Sequence, residues 1–293
     1  MSKTNEKFEK LSCSPLSDNE FDFTCYDKDD LENLKNAYNK RHKDDPIKTT
    51  NPKEIWEFLR YKYHNVCNKE SCWLRREFIP NKLGRELVNS FAPTHPPSWL
   101  KNDRTWLSSS DIQDVMKQYE RKYKCFEFIG PSPIDYYEKD SYTGSTQYVW
   151  PELVNFKLED KIKHGKYKIG FIFNLDKHNQ GGSHWVAMYL NLRNKYLYYF
   201  DSVKTTNNNP IPSEITKLAK CILKQGENMN LNIHYGYNDK IVHQRKNTEC
   251  GMYCLFFIIT MLKEKQTWEQ FLSKRLSDDE VHKCRNDYFN KNL

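Results

Sequence analysis

The sequence predicts an α+β fold: a mixed sheet with one buried helix packed against it, preceded by a small helical arm. Three observations carry this reading. Residues 166–200 hold three strand-like runs, KYKIGFIFNL, WVAMYLNL and KYLYYF, and Arg193-Asn194 turns the last two into a hairpin. Residues 252–262, MYCLFFIITML, form an unbroken apolar run, and a helix that is apolar all round belongs in a core. The segment FAPTHPPSWL holds three prolines in ten residues and reads as a linker near residue 95.

Composition sets the outer limits. The chain has 293 residues, enough for a sizeable core in one large domain or two unequal ones. Hydrophobic residues make up 38% and aromatic residues 14%, so the core leans on Tyr and Phe. No stretch approaches eighteen apolar residues, so no membrane span is expected. The opening MSKTNEKFEKLSC lacks the apolar segment of a secretory signal. Nine irregularly spaced cysteines suggest reduced, intracellular thiols. Cys67 and Cys72 have no second Cys/His pair at metal spacing, so no metal and no cofactor is expected. The net charge of +7 permits weak nucleic-acid association without demanding it.

Residues 1–20 are polar and expected to fray. In DKDDLENLKNAYNKRH, Leu31, Leu34 and Tyr38 share a helical face, with acids early and bases late to suit the helix dipole. Asn51-Pro52 opens a second helix with Ile55, Trp56, Phe58, Leu59 and Tyr63 as its buried side. A third short element covers Asn81–Val88. The expected division is therefore 1–95, an N-terminal helical arm domain, and 96–293, the core domain. In the core, Ser110 is expected to cap a helix to about Lys122, and Ser213 one to about Lys224. Residues 204–212 read as a loop and LNIHYGY as a short strand. The apolar helix starts at Gly251. Thr267 with Gln270, and Ser277 with Glu280, fit capping boxes for two closing helices.

Four residues fit a thiol-based hydrolytic site. Cys250 stands at the mouth of the apolar helix, where the helix dipole and a nearby imidazolium would both favour a thiolate. His184 follows a Gly-Gly-Ser loop at a strand start, and Asp201 ends the partner strand of the same hairpin. A hairpin sets the start of one strand beside the end of the other, so an Asp there can orient the His and stabilise its charged form. Gln244 could offer its amide, with the Cys250 backbone N–H, to a developing oxyanion. Gly251 would let a substrate backbone approach closely. Cys254, one helical turn on, reads as core.

HWVAMYLN, YYFDS and HQRKNTECGMYCLFFI, in that order, resemble the SUMO-deconjugating and adenovirus-type cysteine protease family. The likeness is strongest to its large-DNA-virus branch, typified by the African swine fever virus polyprotein protease. FLSKRLSDDEVHKCR near the end and CNKESCWL at 67–74 extend it over nearly the whole chain. The resemblance implies a papain-like cysteine protease core in which His184 is general base, Asp201 its orienter, Gln244 the oxyanion donor and Cys250 the nucleophile. TWLSSSDIQDVM resembles the opening of the family's core and makes Trp106 and Trp185 the walls of a tunnel for Gly-Gly. That branch can carry Asn in place of the orienting Asp; Asp201 follows the wider family. The implied activity is peptide-bond hydrolysis after Gly-Gly in viral structural polyproteins, located in host cytoplasm (the viral factory) and virion. Removal of SUMO-like or ubiquitin-like modifiers is one alternative. An inactive basic scaffold or nucleic-acid-binding virion protein is the other.

Overall fold

The structure, a computed structural model, describes residues 8–17, 20–139, 147–204 and 210–293. It divides into two compact units, residues 1–95 with 286–293, and residues 96–285. The sequence reading leaves 286–293 with the core; the structure clusters them with the first unit.

The first unit contains α1 (Lys28–Arg41), α2 (Pro52–Tyr63) and α3 (Asn81–Leu87). Asp27 and Asp30 close a capping box on α1, and Asn51 caps α2 through the Lys53 and Glu54 backbone N–H groups. The amphipathic faces pack together: Leu31, Leu34, Tyr38, Ile55, Trp56 and Leu59 are buried with Trp73 and Phe91. Phe58 and Tyr63 are only partly buried against this cluster. Residues 8–17 are not frayed. Leu11 is buried in the cluster, Ser14 N–H donates to Ser90 O, and Cys13 pairs in a β-bridge with Phe91. A Leu among polar neighbours gives little periodic signal, which is why the sequence hides this contact.

The cysteines also depart from expectation. Cys13 bonds to Cys25 and Cys67 to Cys72, with Cα–Cα distances of 5.1 and 5.6 Å, inside the span a disulfide can bridge. Two turns of 3-10 helix at Glu70–Arg75 fold Cys72 back towards Cys67. Residue spacing alone does not reveal such a turn.

The second unit opens with α4 (Ser109–Lys122) and β1 (Phe126–Pro133). Ser108 caps α4, not Ser110, because Asp111 then falls at the third helical position and returns the bond to the cap backbone. Then come α5 (Pro151–Val154), α6 (Leu158–Lys163), β2 (Lys168–Asn174), β3 (Trp185–Asn191) and β4 (Tyr196–Phe200). After these lie α7 (Ser213–Asn228), β5 (His234–Tyr237), α8 (Cys250–Leu262), α9 (Trp268–Leu272) and α10 (Asp278–Lys283), while α11 (Arg285–Tyr288) falls in the first unit except for its first residue. Pro212, not Ser213, takes the cap position of α7, and no side chain caps it. The apolar helix α8 begins one residue earlier than expected, at Cys250 itself. Both closing capping boxes are present. Most of the loop read at 204–212 lies outside the described residues.

The five strands lie in the order β1-β2-β3-β4-β5. β1 and β2 are parallel, as are β4 and β5, while β2, β3 and β4 run antiparallel, so the sheet is mixed. Side-chain alternation gives each face its own covering. Ile169, Phe171, Phe173, Val186, Met188, Leu190, Leu197 and Tyr199 join one cluster with Ile215, Leu218 and Ile222 of α7. The opposite face receives α8, where Phe200 stacks on Phe257 at 5.1 Å. Gly170 keeps that face low: a Cβ there would lie 3.1 Å from Ile258 Cγ2 and from Phe126 Cζ. This is the α+β fold expected, with β3 buried along its whole length.

Candidate active site

The sheet and the buried helix bring three of the predicted residues together. His184 precedes β3, Asp201 follows β4, and the register pairs Ala187 with Phe200. His184 Nε2 and Asp201 Oδ1 are 2.7 Å apart. Cys250 lies close enough to the same ring to raise its affinity for a proton. With Nε2 turned to the carboxylate, Nδ1 is the nitrogen left for sulfur. Cys250 is the first residue of α8, whose opening backbone N–H groups have no partners earlier in the helix.

Burial alone would disfavour the His184 cation. The hydrogen bonds and negative charges of Asp201 and Cys250 outweigh it and push the imidazole up to about 10. The imidazolium form of the ring is thus favoured at neutral pH. Asp201 is itself fixed. Its Oδ1 accepts the Val203 N–H at 3.0 Å, and Asn238 brackets its backbone with bonds of 2.9 and 2.8 Å.

Gln244 is buried beside Ser202. Its backbone N–H, and that of His243, both donate to Ser202 O. The Ser202 hydroxyl donates to Gln244 Oε1 at 2.7 Å, and Gln244 Nε2 donates to Lys246 O at 2.6 Å. His243 is fully buried; burial first, and Arg275 second, lower it to about 4. Its neutral ring accepts the Leu276 N–H at Nδ1.

Glu249, just before Cys250, is a buried carboxylate. Arg285 meets its Oε2 through Nε at 3.0 Å and Nη2 at 2.8 Å, and His282 Nδ1 lies 3.2 Å from Oε1. Burial costs these charges solvation, and the paired geometry offsets it.

Trp106 and Trp185 line one cleft of about 520 Å³ together with His184, Ser108, Gln113, Trp150 and His178. Trp106 is 40% exposed and donates from Nε1 to Asn247 O at 2.6 Å. Trp185 is 6% exposed and donates to Leu107 O at 3.1 Å. Gly251 also makes room within the protein. A Cβ on it would lie 3.2 Å from Leu107 Cβ and 3.3 Å from Trp185 Cδ1. Among the described residues no cluster of His, Cys, Asp or Glu could hold a metal ion.

The profile of the Ulp1 protease family, C-terminal catalytic domain, matches residues 104–292. The chain belongs to the Ulp1 protease family. Over 94% of its length it is 29% identical to thiol protease R355 of Acanthamoeba polyphaga mimivirus, covering 92% of that protein. It is 25% identical to SUMO-1 cysteine protease S273R of African swine fever virus (isolate Pig/Kenya/KEN-50/1950), over 85% of this chain and 92% of that one. The crystal structure of the African swine fever virus pS273R protease matches with a TM-score of 0.65 at 22% identity, covering 95% of each chain, so the two share a fold. The Ulp1-family chain is a cysteine endopeptidase with a papain-like core.

For this Ulp1-family site, sequence reasoning named His184, Asp201, Gln244 and Cys250 and missed the residues that hold them. Asn238, Ser202 and Glu249 are buried polar residues whose partners are distant in sequence. Glu249 alone left a trace, as an acid embedded next to an apolar helix. A second His–Asp pair in the same cleft, His178 Nδ1 at 2.7 Å from buried Asp135, also had no sequence signal.

Proposed function

We propose that this protein is a thiol protease that cleaves after Gly-Gly in viral structural polyproteins. The observation that carries the chemistry is the His184–Asp201 contact of 2.7 Å, with Cys250 at the start of α8 among the groups that raise the same ring. In this reading Cys250 attacks the scissile carbonyl as thiolate, forming the C–S bond. His184, already protonated, gives its proton to the leaving amine as the C–N bond breaks. Asp201 keeps the ring aimed and its cation stable. The Cys250 backbone N–H and the Gln244 amide stabilise the tetrahedral oxyanion. Water then attacks the thioester, with His184 as base, and the acid product leaves.

The cleft beside Trp106 and Trp185 supports the specificity. In this reading the two indoles wall a passage open to side-chain-free residues and closed to a methyl group. Viral relatives over nearly the full chain support a viral substrate. The African swine fever virus relative carries SUMO-1 in its name, which supports a modifier-removing reading as the second choice. The deciding experiment incubates the purified protein with its virus's structural precursors, and separately with a SUMO-like conjugate, and maps the new termini. Cleavage after Gly-Gly in the precursor supports the reading; cleavage of the conjugate alone replaces it with the second. No cleavage of either, with Cys250 inert to a thiol probe, leaves an inactive scaffold.

A further inference from the structure

We infer that Ser202 is a positioning residue that holds and polarises the Gln244 amide in the orientation set by the Lys246 carbonyl. This rests on the reading of Gln244 as oxyanion donor. A glutamine amide has an acceptor end and a donor end of the same shape, and only its neighbours decide between them. The Lys246 carbonyl decides here, and the Ser202 hydroxyl, which can donate or accept, holds the result. The Lys246 carbonyl can only accept, so it takes Nε2 at 2.6 Å. The Ser202 hydroxyl then donates to Oε1 at 2.7 Å. Both residues are buried, Ser202 at 1% and Gln244 at 5% exposure, so water does not replace the bond. The same Ser202 also accepts the Gln244 backbone N–H through its carbonyl at 2.8 Å. One Gln244 N–H is spent on Lys246, which leaves the second as the donor that the oxyanion reading requires. Donation into Oε1 polarises the amide and makes that second N–H a better donor. Ser202 follows Asp201 directly, so one dipeptide aims both the base and the oxyanion donor.

The test compares Ser202→Ala, Ser202→Cys, Gln244→Ala and the double variant Ser202→Ala/Gln244→Ala. Three measurements are made on each: kcat and KM on a Gly-Gly-X peptide, inhibition by a Gly-Gly peptide aldehyde, and alkylation of Cys250 by iodoacetamide. The aldehyde adduct places an oxygen where the oxyanion forms; alkylation forms none. Ser202→Ala should lower kcat on the order of tenfold, as for one lost hydrogen bond, with KM little changed. Aldehyde affinity should fall by the same factor while the alkylation rate holds. Ser202→Cys, which keeps a weak donor, should fall between. In the Gln244→Ala background, Ser202→Ala should add almost nothing. Additive losses, or unchanged aldehyde affinity, would overturn the inference. A parallel loss of alkylation would also overturn it, by placing the effect on Asp201 and His184 instead. If Gln244→Ala itself leaves kcat unchanged, the oxyanion reading falls first and the inference with it.

Discussion

Asp201 Oδ1 is shared: it accepts His184 Nε2–H at 2.7 Å and the Val203 backbone N–H at 3.0 Å. A backbone N–H can only donate, so in an Asp201→Asn variant the amide oxygen, not the nitrogen, must occupy that position. The imidazole then keeps its acceptor and its tautomer but loses a charged partner. Asp201→Asn should cost kcat/KM on the order of tenfold, while His184→Ala should cost about 10^3-fold or more. The pH profile carries a second signature. His184 is raised to about 10, so the alkaline limb of the wild-type profile should lie far above 6.5, and Asp201→Asn should move it down. Equal inactivity of the two variants would refute this account.

Cys250 should be the reactive thiol although it is among the most buried. Cys250→Ala should abolish cleavage, by about 10^3-fold or more, with the fold retained. Iodoacetamide should label Cys250 faster than the exposed Cys221, because His184 and the start of α8 act only on the former. Cys254, whose thiol burial pushes up, should stay unlabelled in the native protein. Mapping the alkylated peptides at partial modification checks the order.

Gly251→Ala should damage the Trp185 wall from behind. Its new methyl meets Leu107 and Trp185 at 3.2–3.3 Å, in a packed region. Expected effects are a stability loss of about 1–3 kcal/mol and a fall in kcat/KM on Gly-Gly-X peptides. Trp106→Ala enlarges the cleft from its open side. It should narrow the gap between Gly-Gly-X and Gly-Ala-X peptides, a ratio read by competition kinetics.

Two histidines should bend the stability curve in opposite directions. His184 binds its proton more tightly folded than unfolded, so its contribution is full below about pH 6.5 and is lost as pH rises towards 10. His243 is lowered to about 4, so folding favours its neutral form; its contribution is full above about 6.5 and is lost as pH falls towards 4. The part of stability governed by these two groups should peak near 6.5. Urea melts across pH would show the acid-side slope flatten in His243→Asn and the alkaline-side slope flatten in His184→Ala.

Arg285→Met should destabilise the second unit by about 3–5 kcal/mol, because it leaves the buried Glu249 carboxylate without the guanidinium that donates twice to its Oε2. Pairing it with Glu249→Gln should recover much of the loss, as thermal unfolding would show.

The parts of the site set by local pattern could be read from residues alone. A hairpin fixes His184 against Asp201 by counting, and an apolar run announces α8 and the residue at its mouth. β1 escaped because Gly130-Pro131 breaks its alternation; the structure tolerates the break on an edge strand, with a register shift between Ile129 and Ser132. Asn238, Ser202 and Arg285 escaped because their value lies in partners far along the chain. The clustering of 286–293 with the first unit is of the same kind. It depends on Asn290, which bonds Ser12 and Ala92 through its side chain and Pro93 and His95 through its backbone.

That last arrangement has a bearing on how the protein is made. Residues 286–293 leave the ribosome only after all of 96–285 has been translated, roughly ten to forty seconds later than residue 95 at ordinary elongation rates. Until then Ser12, Ala92, Pro93 and His95 lack their Asn290 partners. The helical unit is begun before residues 96–285 are made and gains residues 286–293 only after them, while all five strands of the protease unit precede that segment. In a nascent chain, chaperones would therefore meet a helical unit still lacking its Asn290 contacts, tethered to a protease unit whose strands are already made.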